Sequence, residues 1–342
     1  MNGIENTILT NKKEFQIFED ESIEKINLKD IIIGEKICKC NYGFVAFRKS
    51  IKTNKIYSVK MLKKIYLYAD KFVERQYNEY KIMSLIYHPF IMELKGINHT
   101  DPYYLYYFSE LVPGGSLKLY LKMYKVFSLD YAKFYSASII TVLDYLHKKN
   151  IIHRNIRAEN ILVNTNGYIK LSEFTFSKIL KNDLTYSLCG AYEYYSPEMI
   201  NKSGHNKSVD FWQLGLLLYE MLVGNLPFID TEPLKLFNKI IKGKIHFPKN
   251  INENAKSIIK HLLNEDMNKR LGCNKRGIFE IIIHPFFKDF DWEALLHRKL
   301  QPPFIPNIRR LNIDNNYRTI DEILMEDKIE PLTKENDPFY NW

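Results

Sequence analysis

The chain has 342 residues, 46% hydrophobic and 26% charged, which excludes wholesale disorder and leaves room, at about 150 residues per domain, for about two packed units. Its 49 Lys+Arg against 40 Asp+Glu give a net charge of +9, scattered singly among Asn, Ile and Tyr. That is the pattern of a solvated basic surface, so neither a nucleic-acid partner nor a membrane anchor is expected, and no run of 18 uncharged apolar residues could form a spanning helix.

Residues 1–27 read as a polar extension. The start, MNGIENTILTNKKEF, has no basic n-region and no apolar h-region, and its glycine is at position 3 rather than 2. A secretory signal and myristoylation are therefore not expected. Four cysteines without a CxxC pair point to a reducing, cytoplasmic setting.

From 28 to about 62 the pattern is strand and turn: LKDIIIGEKICKC, NYGFVAFRKS and KIYSVKML, with a turn at Thr53-Asn54-Lys55. Residues 70–86 read as a helix with a polar face. Strand-like runs return over 91–111, in FIMEL and YYLYYFSEL. Pro113-Gly114-Gly115 then breaks the chain and marks a lobe boundary. Beyond it Tyr135, Ile139, Val142, Leu143 and Leu146 lie on one helical stripe. ILV at 161–163 and YIKL at 168–171 form a strand pair, joined by a hairpin signal at Asn166-Gly167. Residues 209–223 are apolar nearly all round, a buried helix. More helices follow to about 297. The tail is rich in Pro, Asn and Asp. The expected fold is α+β: an extension (1–27), a small β-rich lobe with one main helix (28–111), a larger helical lobe (112–297) and a tail (298–342).

Several motifs stand in a telling order. Val59-Lys60 ends a strand, and Glu79 lies on the next helix. His153-Arg154-Asn155-Ile156-Arg157-Ala158-Glu159-Asn160 precedes the hairpin, and Ser172-Glu173-Phe174-Thr175 follows it. Ser196-Pro197-Glu198, Asp210 and Arg270 come after. The ordered set resembles the eukaryotic protein kinases over about residues 28 to 297. VPGGS, TYSLCGAYEYYSPE, RLG, Pro303-Phe304-Ile305-Pro306 and the terminal Phe339-Tyr340-Asn341-Trp342 resemble the AGC group, most of all its cyclic-AMP-dependent catalytic chains. The resemblance implies a bilobal fold with an antiparallel small-lobe sheet. It also implies a tail that wraps back, so that Phe339 and Trp342 pack in a groove of the small lobe.

It further implies a site for ATP and Mg²⁺ that orients a hydroxyl in line with the phosphoryl group. Lys60 would anchor the α/β-phosphates with Glu79 as its ion-pair partner. Gly43, Val45, Glu110, Val112, Ser116 and Leu162 fall at nucleotide-binding positions. Asn160 and Glu173 fall at the metal positions. A purely structural Lys60–Glu79 salt bridge is the other reading of that pair. Met83, Leu94, His153 and Phe174 match the family's apolar spine. Asp210 would fix the catalytic loop, and Glu198 would pair with Arg270.

The departures from the pattern concern the chemistry. Asn155 stands where the family has its proton-accepting Asp, and an amide has no useful basicity. Arg157 replaces a Lys and is longer and planar. Ala191 replaces a Thr and lacks its hydroxyl; Tyr192 replaces the neighbouring Pro. Glu173 lengthens the metal-binding Asp by one methylene, and Mg²⁺ tolerates poor geometry badly. Thr175 replaces a Gly. Of three phosphate-loop glycines only Gly43 remains, with Cys38 and Cys40 at the others, where side chains hinder approach of backbone N–H groups to phosphate.

Ser187 lies at the group's activation-segment phosphosite, and Arg75, Arg154 and Lys178 match the cations that receive the phosphate. Three solvated cations that merely match are the alternative. Glu159 and Glu220 match acidic positions used for Arg-rich peptides. The third such position is Ser116, which also removes a ribose contact, and Ser109 sits at the gatekeeper position.

Two functions stay open. One is a catalytically impaired homologue, a pseudokinase, that acts by binding a cyclic-nucleotide-binding regulatory subunit or another kinase. The other is an active Ser/Thr kinase that moves the ATP γ-phosphate to basic protein substrates with unusual residues.

Overall fold

The computed structural model describes residues 24–307, 330–340 and 342. Its contacts divide the chain into two units. The first holds the described residues up to Tyr87, Met92–Pro113 and those from Asn307 on; the second holds His88–Ile91 and Gly114–Pro306.

The first unit is built on a six-stranded sheet. Its strands are β1 (Glu24–Lys25), β2 (Ile31–Cys40), β3 (Gly43–Ser50), β4 (Ile56–Lys63), β5 (Leu94–Asn98) and β6 (Tyr104–Glu110), in the order β1-β5-β6-β4-β3-β2. Only the short β1–β5 pair is parallel. The two-residue period of a strand sorts the side chains. Phe44 and Ala46 of β3, Tyr57, Val59 and Met61 of β4, and Tyr104, Tyr106 and Phe108 of β6 make one core. Lys60 alternates with that set and so belongs to the opposite face, paired in register with Tyr107.

The helix expected over 70–86 is α2 (Val73–Leu85), and a short helix not expected from the sequence, α1 (Lys64–Ala69), precedes it. Lys71, at φ 59°, ends α1. Phe72 N–H donates to the Leu67 carbonyl at 2.8 Å and Lys71 N–H to that of Tyr68 at 3.2 Å, the paired bonds of a left-handed helix stop. Glycine is the usual residue there; here a lysine takes the position. The FIMEL run is likewise not a strand as a whole. β5 starts only at its last residue, Leu94, while Ile91 makes an isolated bridge to Leu171 within the second unit.

The second unit is mostly helical: α3 (Leu117–Tyr124), α4 (Leu129–Lys148), α5 (Pro197–Ile200), α6 (Ser208–Val223), α7 (Pro233–Lys242), α8 (Glu253–Leu262), α9 (Phe279–Ile282) and α10 (Trp292–Leu296). The five stripe residues of α4 are fully buried, and α6 is buried from Ser208 to Met221. Two small strand pairs complete the unit. β7 (Ile151–Ile152) pairs with β10 (Lys178–Ile179), and β8 (Ile161–Val163) with β9 (Ile169–Leu171). The β8–β9 hairpin closes through Gly167 N–H on the Asn164 carbonyl at 2.9 Å. Only Gly167 of the Asn-Gly pair has positive φ, at 81°, so a turn followed by a left-handed glycine joins the strands rather than a two-residue loop. No helix among the described residues is long and apolar enough to cross a membrane.

Each unit holds part of the tail. In the second, the Phe304 ring sits 4.3 Å from that of Tyr120 and 5.9 Å from that of Tyr135. In the first, Phe339 is fully buried, and the Trp342 ring stacks on Tyr80 at 6.3 Å and meets Tyr77 edge-on at 5.4 Å. Beside them Lys64, with no exposure, donates to Asp337 Oδ2 at 2.5 Å and to the His99 carbonyl at 2.6 Å. A buried phenyl ring contributes about 1.5–3 kcal/mol. Phe339→Ala is therefore expected to release the last residues, with local stability falling by about that amount in amide exchange around α1 and α2. Unchanged protection there would show that the ring does not hold the tail.

Candidate active site

In the first unit, Lys60 Nζ meets Glu79 Oε1 at 2.6 Å, with the Glu79 side chain 1% exposed. β4 delivers the lysine and α2 the glutamate. α2 is fixed against the sheet by the Tyr107 hydroxyl, which donates to the Gln76 carbonyl at 2.9 Å. The Lys60 ammonium also lies 5.2 Å from the Tyr107 ring centre. Glu110 Oε1 accepts from Glu93 N–H at 2.9 Å, and Val112 is buried. Val45 is half-buried on β3, opposite Lys60 in the register.

Asn41 and Tyr42 join β2 to β3. Tyr42 takes φ 68°, its carbonyl accepts from Lys63 N–H at 2.8 Å, and its ring packs on Phe72 at 5.0 Å. Gly43 has a structural cause of its own: a Cβ there would lie 1.8 Å from the Met61 carbonyl oxygen. Cys38 is exposed and Cys40 half-buried.

In the second unit, the segment 153–157 hangs from α6. Asp210 Oδ2 accepts from His147 Nε2 at 2.8 Å and from His153 N–H at 3.0 Å; Oδ1 accepts from Arg154 N–H at 2.7 Å. Burial pushes the Asp210 carboxyl up, but these donors, His147 first, hold it below its ordinary value. One turn further on, Gln213 accepts from Ile156 N–H at 2.9 Å and donates to the Arg154 carbonyl at 3.0 Å. Sequence reading missed Gln213; its signal is the i, i+3 spacing from Asp210. Burial lowers the His153 imidazole to about 4, so it is neutral. It meets the Phe174 ring edge-on at 4.7 Å. Met83 and Leu94 are buried in the first unit, His153 and Phe174 in the second.

Asn155 is fixed at its backbone. Its N–H points at His153 Nδ1 at 3.3 Å, and its carbonyl accepts from Asn160 Nδ2 at 2.9 Å. The Asn160 carbonyl in turn accepts from Ser172 Oγ at 2.9 Å. Glu173 and Arg154 both take φ 62°. Each such non-glycine residue costs about 1–3 kcal/mol, and the surrounding bonds hold it in place. Ser116 and Leu162 face each other in an isolated bridge.

Arg157 is engaged. Its Nε donates to Glu159 Oε2 at 2.9 Å and its guanidinium lies 4.8 Å from the Tyr194 ring centre. Burial would raise the Glu159 carboxyl, but Arg157 holds it below its ordinary value. Glu220 is buried on α6 and bonded by Lys118. Ala191 caps the short turn Tyr192–Tyr194 with its carbonyl, at 3.0 Å from Tyr194 N–H.

Around Ser187, Arg154 Nη1 donates to Oγ at 2.8 Å and lies 3.4 Å from His205 Nε2. Lys178 Nζ donates to Thr185 Oγ1 at 2.8 Å, and that oxygen lies 3.4 Å from Ser187 Oγ. Burial, then the Arg154 charge, lowers His205 to about 4, so it adds no charge there. Arg75 belongs to the first unit, where its guanidinium lies 4.5 Å from the Phe72 ring centre.

A protein kinase domain model matches residues 31–287. The chain is 39% identical over 300 residues to a cAMP-dependent protein kinase catalytic subunit of Dictyostelium discoideum, across 87% of this chain and 46% of that one. It is 42% identical over 246 residues to the cAMP-dependent protein kinase catalytic subunit PRKX of Homo sapiens, across 72% and 68%. It is 36% identical over 297 residues to the cAMP-dependent protein kinase catalytic subunit 3 of Drosophila melanogaster, across 87% and 51%. The chain thus spans about half the length of two of these three relatives.

Proposed function

The chain belongs to the protein kinase family, and from that premise we propose a serine/threonine kinase homologue of the cAMP-dependent AGC type whose phosphoryl transfer is impaired and which acts by binding a protein partner. Asn155 carries this reading. The loop that presents it is fully formed, held by Asp210, Gln213 and Asn160, yet it offers an amide where a carboxylate would take the hydroxyl proton. Loss of a general base costs about 10²–10⁴ in rate, or about 3–5.5 kcal/mol of barrier. Arg157, turned to Glu159, and Ala191, without a hydroxyl, support the same reading.

Each unit carries residues of the kind that would hold a nucleotide or its metal. Mg²⁺ commonly takes one or two protein ligands and fills its shell with phosphates and water, and Asn160 and Glu173 supply that many. Lys60, held by Glu79, would bind phosphate. Bound ATP would supply the phosphoryl group to be transferred. The partner proposed is a cyclic-nucleotide-binding regulatory protein or another kinase, and Ser187 beside Arg154 is the proposed phosphosite.

The Lys60–Glu79 pair also favours a second reading, an active kinase with unusual residues acting on basic protein substrates. Nucleotide affinity separates the two. With the phosphate loop carrying Cys38 and Cys40, Mg²⁺-ATP is expected to bind in the millimolar range. At 1 mM it then stabilises the protein by about 0.4 kcal/mol, a barely visible thermal shift. A shift that corresponds to micromolar affinity would favour the active kinase.

A further inference from the structure

Glu159 and Glu220 lie near one another in the second unit, and both are already engaged. Lys118, from the first turn of α3, donates to Glu220 Oε1 and sits 3.9 Å from Glu159 Oε1. Arg157 takes the other Glu159 oxygen at 2.9 Å. Two carboxylates therefore face two cations of the same chain, with Glu193 a further carboxylate acting on Arg157. The Glu220 side chain is 2% exposed, so its pairing with Lys118 forms in a site where water screens little. Its second oxygen, Oε2, is buried and has no hydrogen-bond partner among the described residues. Buried carboxylate oxygens normally have donors. A lysine ammonium is a point charge and satisfies one oxygen. A guanidinium is a planar fork that can satisfy both. The pocket thus has the chemistry of an arginine site in which a lysine stands as an incomplete substitute.

We infer that Lys118 is a specificity-determining plug: it occupies the Glu159/Glu220 pocket that would otherwise receive an arginine of a bound peptide, so the peptide partners of this chain are ones without arginine at that place. The inference rests on the kinase-homologue reading, which gives the pocket a peptide to face. It is independent of whether phosphate is transferred.

The test is equilibrium binding, by fluorescence anisotropy, of a short serine peptide carrying an arginine pair. The same peptide with both arginines replaced by neutral citrulline is the control. The unmodified protein is expected to bind the two within about threefold of each other. Lys118→Gln should tighten the arginine peptide at least about tenfold, leave the citrulline peptide unchanged, and make binding more sensitive to salt. Adding Glu220→Gln should remove the gain. Lys118→Arg should fork onto both Glu220 oxygens and stay closed.

Tenfold preference of the unmodified protein for the arginine peptide, lost in Glu220→Gln, would overturn the inference. So would an arginine affinity that Lys118→Gln does not raise. If Lys118→Gln fails to fold, the comparison in the unmodified protein and in Lys118→Arg decides, since preference for arginine in either contradicts a plugged pocket. ATP turnover with either peptide would count against impaired catalysis and leave the plug standing.

Discussion

Asn155→Asp alone is expected to restore little phosphate transfer, whereas Asn155→Asp with Arg157→Lys, Glu173→Asp and Ala191→Thr is expected to raise it by about 10²–10⁴, the range of a working general base. A new carboxylate at 155 would stand in a loop whose backbone is already fixed by Asp210, Gln213 and Asn160. Its partners would still be missing. Arg157 stays on Glu159 and Tyr194, and Ala191 has no hydroxyl to offer. Residues that act as one unit are strongly non-additive, so the combined gain should far exceed the product of the single gains. Turnover should be measured with both a basic and a neutral serine peptide, so that peptide affinity does not mask the chemistry. Equal recovery by Asn155→Asp alone would show that the site lacks only its base.

The largest stability effect is expected at Glu198 and Arg270. The Arg270 guanidinium has no exposure and forks onto Glu198, Nη1 to Oε1 at 2.6 Å and Nη2 to Oε2 at 2.9 Å. Ser208 Oγ donates to the same carboxylate at 3.0 Å, and Arg270 also reaches the Asn264 and Ser208 carbonyls. Trp212 lies under the guanidinium, 5.1 Å from ring centre to charge. Glu198→Ala strands a buried cation and should cost about 3–5 kcal/mol in denaturant unfolding. Replacing both partners by apolar residues should cost less than the sum of the single changes.

Burial pushes the Glu198 carboxyl up, but Arg270 more than offsets this and holds it below its ordinary value of 4.5. A depressed folded-state value stabilises the protein in full above the ordinary value. The contribution is lost as pH falls through the folded value. Wild type should therefore lose stability in acid more steeply than Glu198→Ala. A cost below about 1 kcal/mol would mean that the pair is not buried in solution.

Much of the frame was readable in the chain because it follows from periodicity. The stripe on α4 and the all-round apolar α6 need no knowledge of partners. The ordered motifs fixed the fold class, α+β with a β-rich and a helical part, because they lie close in sequence to the elements that carry them. What was hidden depends on side chains that meet across long separations or on unusual backbone. Lys118 and Glu220 are 102 positions apart, and no spacing rule joins them. Lys71 ends a helix in a conformation that glycine normally signals. Gly43 looked like the remnant of a phosphate loop, yet the Met61 carbonyl alone forbids a side chain there. Gln213 was overlooked because its role lies in the backbone it holds rather than in any motif.

The central claim is a kept fold with weakened chemistry. Its most direct test is γ-phosphate transfer from Mg²⁺-ATP to serine peptides by the purified unmodified protein, beside Lys60→Ala. The expected result is transfer near background in both, with the two proteins indistinguishable. Robust turnover by the unmodified protein, abolished by Lys60→Ala, would contradict it and establish an active kinase that works without a carboxylate at position 155.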